Sequence, residues 1–412
     1  MVNRESFNPS TLKITDLRTV VVNFDYPIVK IDTNQGVYGL GEVRDAGNRE
    51  YALQFKGMLL DKNPMNIESL FREMKVRTGQ RKQGFSGYGG RESGGISAIE
   101  MALWDIIGKV YEIPVYQLLG GRYRDRIRIY ADTPAPEEPT PQGFAGKVLE
   151  RKKMGLTFIK FDMGINVLRK AKVADSLTDN RPTEKGIDYL ASCVEAVREA
   201  VGWDIPLAID HFGPLCVKDC IRVGNALEKF NLAWLEDMRP ESDVDGMQEI
   251  TRSIKTPTLI GEGLFLLDGF REIIDKRAVD LIQPDLTTAG GIRETKRIAD
   301  YAEEKSSMST VQHFAGSPIS FMANIHAAAA IHHFVALEHH SLDIPWWKDL
   351  VTGLPDPLME NGYVKVPEKP GLGVDLNEEV IRKHLKYPEL GYFEPTPEWN
   401  KSATNGALGY RP

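Results

Sequence analysis

From about Arg128 onward, short apolar runs alternate with longer helical stretches, and this alternation limits the fold more than any other feature of the chain. The runs are Ile127–Tyr130, Phe158–Phe161, Leu207–Ile209, Ala233–Leu235, Thr258–Ile260, Leu281–Ile282, Thr310–Val311 and Val335–Leu337. Between them lie helical patterns such as Gly186 to Val201 and Val217 to Phe230. Strand–helix alternation makes parallel βαβ units. Eight such units close a (β/α)8 barrel, and the pattern predicts one over residues 128–345.

The segment before it, 1–127, reads as a separate α+β domain. Leu12 to Phe24 is a strand candidate. Pro27–Thr33 and Val37–Glu42 flank Asn34-Gln35-Gly36, a hairpin signal. Asn66 to Lys75 reads as helix. Gly84 to Gly95 carries six glycines and is expected to be a loop. In Ile96 to Val110, Ile96, Ile99, Leu103, Ile107 and Val110 recur every three or four residues, the mark of a helix with one buried face. Pro134 to Pro141 is a proline-rich loop. After Pro345-Trp346-Trp347 a polar, Gly/Pro-rich tail, 346–412, is expected to return onto the first domain.

Bulk properties narrow the partners. Lys and Arg number 51 against 58 Asp and Glu, leaving −7. Mild acidity gives no reason to expect nucleic acid or an anionic membrane. Nothing approaches the roughly 18 consecutive apolar residues of a membrane span, and Met1 to Thr19 has no apolar run of signal-peptide length. The three cysteines, Cys193, Cys216 and Cys220, do not make a disulfide framework, and a reducing cytoplasm is the expected location.

Chemistry enters at the ends of the runs. In a parallel barrel the C-terminal strand ends share one rim, where active sites lie. Run three ends in Asp210, run four in Glu236, and run five just before Glu262, at intervals of 26 residues. One such acid is most simply a first-turn acid on the following helix. Three on consecutive strands repel one another unless a hard divalent cation joins them, and all-oxygen ligands suit one Mg²⁺ per chain. Such an ion polarises a carboxylate and stabilises the enediolate left when the adjacent carbon loses its proton. The expected substrate is therefore a small carboxylic acid, and the expected reaction begins with proton abstraction beside the carboxylate.

The remaining runs supply candidates for that proton. Run six leads to Gln283-Pro284-Asp285 and run seven to Gln312-His313. An Asp one strand from a His fixes its tautomer and raises its pKa, making His313 a candidate acid/base. Run eight ends in Glu338, followed by His339-His340. Glu338 either donates to a substrate oxygen or forms a salt bridge. In run two, period-two alternation aims Lys160 and Asp162 into the barrel together. Lys160 is a second base candidate, or half of an interior ion pair.

With these residues in view, the chain resembles the enolase superfamily in its mandelate racemase-like subgroup. The matching segments are Gly39-Leu40-Gly41-Glu42, Ile96 to Gly108, Leu118-Leu119-Gly120-Gly121, the acids Asp210, Glu236 and Glu262, the Asp285/His313 pair, Glu338, and Val364 to Gly373. The resemblance implies an α+β capping domain, completed by the C-terminal segment, over a modified (β/α)8 barrel that binds Mg²⁺. It implies that Asp210, Glu236 and Glu262 hold the metal, that Asp285 supports His313 as acid/base, and that Glu338 hydrogen-bonds the substrate carboxylate. It also implies a tendency toward homo-oligomers.

Two positions depart from the family pattern. The second strand usually offers Lys-x-Lys, and here it reads Lys160-Phe161-Asp162. A racemase needs a base on each face of the carbon, so this change weakens racemisation. Two residues past the first metal acid, where the family often has Asn or His, stands Phe212, with His211 one earlier. Lys-Phe-Asp resembles some acid-sugar dehydratases. The leading expectation is therefore a lyase that turns an aldonic or aldaric acid into a 2-keto-3-deoxy acid. The alternatives are a racemase or epimerase of a 2-hydroxy acid, with Asp162 or His211 as second base, or a non-catalytic protein that keeps the fold. Substrate selection is expected from cap loops around Asp25–Tyr26, Arg44–Arg49 and Gly84–Gly95, with Arg44 a candidate substrate contact and Arg49 and Arg91 further ones.

Overall fold

The computed structural model describes residues 8–77, 90–179, 181–210 and 215–401. The capping domain opens with an antiparallel meander of β1 (Ile14–Val22), β2 (Tyr26–Thr33) and β3 (Tyr38–Glu42). The β2–β3 turn is the one expected at Asn34-Gln35-Gly36, with Gly36 at φ +79°. Helices α1 (Ile67–Arg77) and α2 (Gly90–Tyr111) complete this domain.

Gly39 and Gly41 are explained by α2. A Cβ on Gly39 would stand 1.9 Å from the Ala102 carbonyl oxygen, and one on Gly41 1.9 Å from that of Ala98. Glycine on the strand and alanine on the helix let the two backbones nearly touch. The expected loop at Gly84–Gly95 needs correction. Residues 84–89 lie outside the described residues, but 90–95 form the first turns of α2. Gly95 serves packing rather than chain reversal, since its Cβ would meet the Tyr51 carbonyl oxygen at 1.9 Å.

The alternation in the sequence becomes a closed barrel. Its strands are β4 (Arg126–Ala131), β5 (Ile159–Asp162), β6 (Leu207–Asp210), β7 (Trp234–Glu236), β8 (Thr258–Ile260), β9 (Leu281–Ile282), β10 (Ser309–Gln312) and β11 (Phe334–His339). Each pairs in parallel with the next, and β11 closes on β4 through Leu337–Ile129, Glu338–Tyr130 and His339–Ala131. Helices α3 (Pro141–Lys153), α4 (Glu184–Val201), α5 (Val217–Leu227), α6 (Val244–Ser253), α7 (Leu266–Lys276), α8 (Ile292–Ser306) and α9 (Pro318–Ala330) lie between successive strands. Side-chain caps begin several of them: Thr140, Thr183 and Asp243 accept from the backbone N–H groups of Gly143, Gly186 and Gly246. The chain is thus a modified barrel beneath an α+β cap.

The tail is shared between the two domains rather than laid on the cap alone. Strand β12 (Tyr363–Lys365) pairs antiparallel with β4 of the barrel. Further on, the Asn23 N–H donates to the His384 carbonyl and the Lys386 N–H to that of Val21. Among the described residues, no helix is long and apolar enough to cross a membrane.

Strand alternation sorts the barrel interior into layers. Phe158, Ala208, Trp234, Leu259, Val311 and Ala336 point inward and pack with Tyr130 into an apolar plug of their own. Their outward neighbours Ile159, Ile209, Leu235, Ile260 and Leu337 belong to the main core beneath the helices. Two residues beyond the plug, nearly every strand turns polar: Lys160, Asp210, Glu236, Gln283, His313 and Glu338, all buried.

Candidate active site

The polar layer is organised around Lys160. Its Nζ lies 2.8 Å from Asp210 Oδ2, 3.0 Å from Glu236 Oε1 and 2.7 Å from Glu338 Oε1. Burial disfavours the ammonium, but the three carboxylates outweigh it and hold its pKa well above the usual lysine value. Lys160 is therefore a fixed cation. Asp162, inward on the same strand as expected, gathers with Asp132 and Asp210, their oxygens within 4.8 Å of one another.

His313 stands on the other side of this layer. Its Nδ1 is 2.6 Å from Asp285 Oδ2, and its Nε2 is 3.2 Å from Glu262 Oε2. Burial opposes imidazolium, yet the charges of Glu262, Asp285 and Glu338 prevail and raise the His313 pKa to about 10. Asp285 is itself held by the Thr287 hydroxyl and the Thr288 N–H, at 2.5 and 3.0 Å, so the imidazole is oriented through a fixed carboxylate.

Glu338 is the most heavily partnered acid. Besides Lys160 it accepts from the Tyr130 hydroxyl at 3.0 Å and the Gln283 amide at 3.1 Å, and His340 Nε2 lies 3.1 Å away. Burial would raise its pKa, but Lys160 and His340 pull it well below the carboxylate range. Arg44 reaches in from the cap. Its guanidinium donates to the Glu262 carbonyl at 2.9 Å and to Glu262 Oε1 at 3.1 Å.

The three expected metal acids are not gathered equally. Lys160 bridges Asp210 and Glu236, while Glu262 is turned toward Arg44 and His313. Among the described residues no group of ligand atoms within 4.8 Å contains all three acids. The donor set nonetheless fits a hard cation. Burial and the neighbouring Asp210 push the Glu236 carboxyl well above its usual range. Burial, Asp210 and Glu262 do the same to Asp237, whose buried Oδ1 has no hydrogen-bond partner among the described residues. Crowded oxygens destabilised as anions are what a divalent ion stabilises.

His211 and Phe212 lie outside the described residues, as does the Arg91 side chain. Arg49 pairs with Glu50 at 3.3 Å. Sequence reasoning named Lys160, Asp162, Asp210, Asp285, His313 and Glu338, and the structure brings these to one mouth, with Glu236, Glu262 and Arg44. It missed Tyr130, Asp132, Gln283 and His340 as site residues. The signal was available: period two carries Tyr130 to Asp132, and Glu338 to His340, on the inward side.

A closed parallel barrel with an acidic, His-bearing rim beneath an α+β cap defines a class of enzyme folds, and comparison with known proteins identifies it. Residues 6–120 match the mandelate racemase / muconate lactonizing enzyme N-terminal domain, and residues 144–380 match the enolase C-terminal domain-like family. The chain belongs to the mandelate racemase / muconate lactonizing enzyme family of the enolase superfamily. It is 36% identical over 377 residues to a D-xylonate dehydratase of Haloferax volcanii, covering 90% of this chain and 89% of that protein. It is 30% identical to a D-gluconate/D-galactonate dehydratase of Picrophilus torridus, covering 92% and 93%. A solved mandelate racemase/muconate lactonizing enzyme-like protein from Rubrobacter xylanophilus superposes with a TM-score of 0.83 at 31% identity, covering 93% of this chain and all of the other.

Proposed function

We propose that this chain is a hydro-lyase that dehydrates a sugar acid, aldonic or aldaric, to the 2-keto-3-deoxy acid. The observation that carries the reading is the His313–Asp285 pair, 2.6 Å apart, facing a wall of carboxylates in a chain nearly co-extensive with two dehydratases.

Asp210, Glu236 and Glu262 would hold Mg²⁺, which supplies charge against the developing enediolate when bound. The protein's own groups do the rest. Lys160, paired with Asp210, Glu236 and Glu338, would bind and orient the substrate carboxylate as ammonium. Glu338, buried and anchored by Tyr130 and Gln283, sets the position of Lys160. His313, aligned by Asp285, takes the α-proton in its neutral form; Glu262 is the charge that raises its pKa most, and a cation held on Glu262 would remove that pull. Arg44, which approaches from the cap and pairs with Glu262, is the candidate contact for the distal end of the substrate. Asp162 sits among acids where a racemase would keep its second base. A cytoplasmic location and a homo-oligomeric assembly belong to the same reading and rest on the cysteine pattern and the family resemblance.

The test is turnover of an aldonate and aldarate panel by purified protein with Mg²⁺, with 2-keto acid trapped by semicarbazide. Product from at least one acid, lost in His313→Asn, supports the reading. An epimerised acid with no keto product replaces it with the racemase.

A further inference from the structure

Loss of the β-hydroxyl needs a proton donor, and resting both proton transfers on His313 leaves a second inward imidazole without a part. His340 is one residue past β11 and, by strand alternation, points to the same side as Glu338. Its Nε2 lies 3.1 Å from Glu338 Oε1, and its Nδ1 lies 3.6 Å from Asp132 Oδ2. The His313 and His340 rings are 5.1 Å apart and edge to face. His340 keeps 32% of its side chain exposed, against 4% for His313. The adjacent His339 behaves otherwise. It points outward, packs on Phe314, Phe321 and Trp347, and accepts from the Ser341 N–H.

We propose that His340, positioned by Asp132 and Glu338, is the proton donor to the departing β-hydroxyl. This rests on the dehydratase reading. His313 removes the α-proton, and the C–H electron pair enters the enediolate. That pair then forms the Cα–Cβ double bond as the Cβ–O bond breaks. The oxygen leaves as water with the His340 proton, and the enol takes up a proton at Cβ to become the 2-keto-3-deoxy acid. Donor and base on neighbouring strands work from one flank, so the elimination is syn. Asp132 and Glu338 keep His340 charged before transfer: burial lowers its pKa, but Glu338 foremost and Asp132 raise it.

The experiment compares wild type, His340→Gln and His313→Asn on the sugar acid that wild type dehydrates and on its 3-deoxy-3-fluoro analogue, whose fluoride leaves without a proton. For His340→Gln we expect a loss of about 10²–10⁴-fold on the hydroxy acid. Two activities should survive in that variant: exchange of the α-proton in D₂O, and turnover of the fluoro analogue within about tenfold of wild type. His313→Asn should fail on both substrates. Asp132→Asn should show a smaller loss of the same kind. Equal loss on both substrates in His340→Gln, or loss of bound Mg²⁺ by metal analysis, overturns the proposal. So does undiminished dehydration. Wild type silent on every sugar acid overturns the dehydratase reading itself.

Discussion

Glu42, the last residue of the cap's sheet, accepts hydrogen bonds from the backbone N–H and hydroxyl of Ser317, at 2.8 and 2.6 Å, at the start of the barrel helix that follows His313. Ser320 adds its hydroxyl at 2.5 Å. A second acid of the cap does the same on the preceding helix, α8. Glu100 accepts from the N–H groups of Ile292 and Arg293 at 2.7 and 2.9 Å. Two buried carboxylates of the cap therefore close two helix N-termini of the barrel, where the helix dipole favours negative charge. The cap is bolted to the barrel on the side of His313 and Asp285.

Glu42→Ala leaves several buried donors without an acceptor. We expect it to cost about 2–4 kcal/mol in denaturant unfolding. Because Glu42 anchors the helix behind His313, turnover should fall with it. Unchanged stability would mean that the cap is held elsewhere.

Gly39→Ala and Gly41→Ala each force a methyl group to within 1.9 Å of a helix carbonyl oxygen. Destabilisation of about 3 kcal/mol or more is expected, read as a drop in melting temperature or loss of soluble protein. Gly36→Ala, where no atom lies within 4 Å of the new methyl, meets only the strain of its positive φ and should cost about 1 kcal/mol.

His326 gives the clearest pH dependence. It is buried, accepts from the Tyr116 N–H at 3.2 Å on Nδ1, and burial lowers its pKa from 6.5 to about 4. The unfolded chain takes up this proton as pH falls below about 6.5, whereas the folded chain does so only near 4. The contribution is complete above 6.5 and is lost on acidification through that window. Between about pH 7 and pH 5 wild type should lose about 2 kcal/mol that His326→Gln does not lose. Parallel curves for the two proteins would contradict the assignment.

Metal binding has its own readout. Added Mg²⁺ should raise the melting temperature, by about 2.7 kcal/mol of stabilisation at a hundredfold excess over Kd. Asp210→Asn and Glu236→Gln should abolish the shift. A full shift in both variants would move the ion to other acids, with Asp132 and Asp162 first in line.

Much of this was legible in the sequence because barrel chemistry follows strand ends. Asp210 and Glu236 close their strands, and Lys160, His313 and Glu338 fall on inward positions by period two alone. What stayed hidden depends on distance in space. That Lys160 would bridge Asp210 and Glu236, while Glu262 turns to Arg44, is a matter of side-chain rotamers across three strands. The glycines of 90–95 mislead for a related reason. Composition reads them as loop, whereas close packing against Tyr51 requires small residues inside a helix. Glu42 and Glu100 stand within the segments that carried the family resemblance, but their partners lie more than 190 residues away.

The central claim is that His313 starts a dehydration beside a carboxylate. Proton NMR of the reaction in D₂O with Mg²⁺ and the accepted sugar acid tests it most directly. The account predicts a 2-keto-3-deoxy product carrying deuterium at C3, formed by wild type and not by His313→Asn. Deuterium at C2 of unchanged or epimerised substrate, with no keto product, would contradict it.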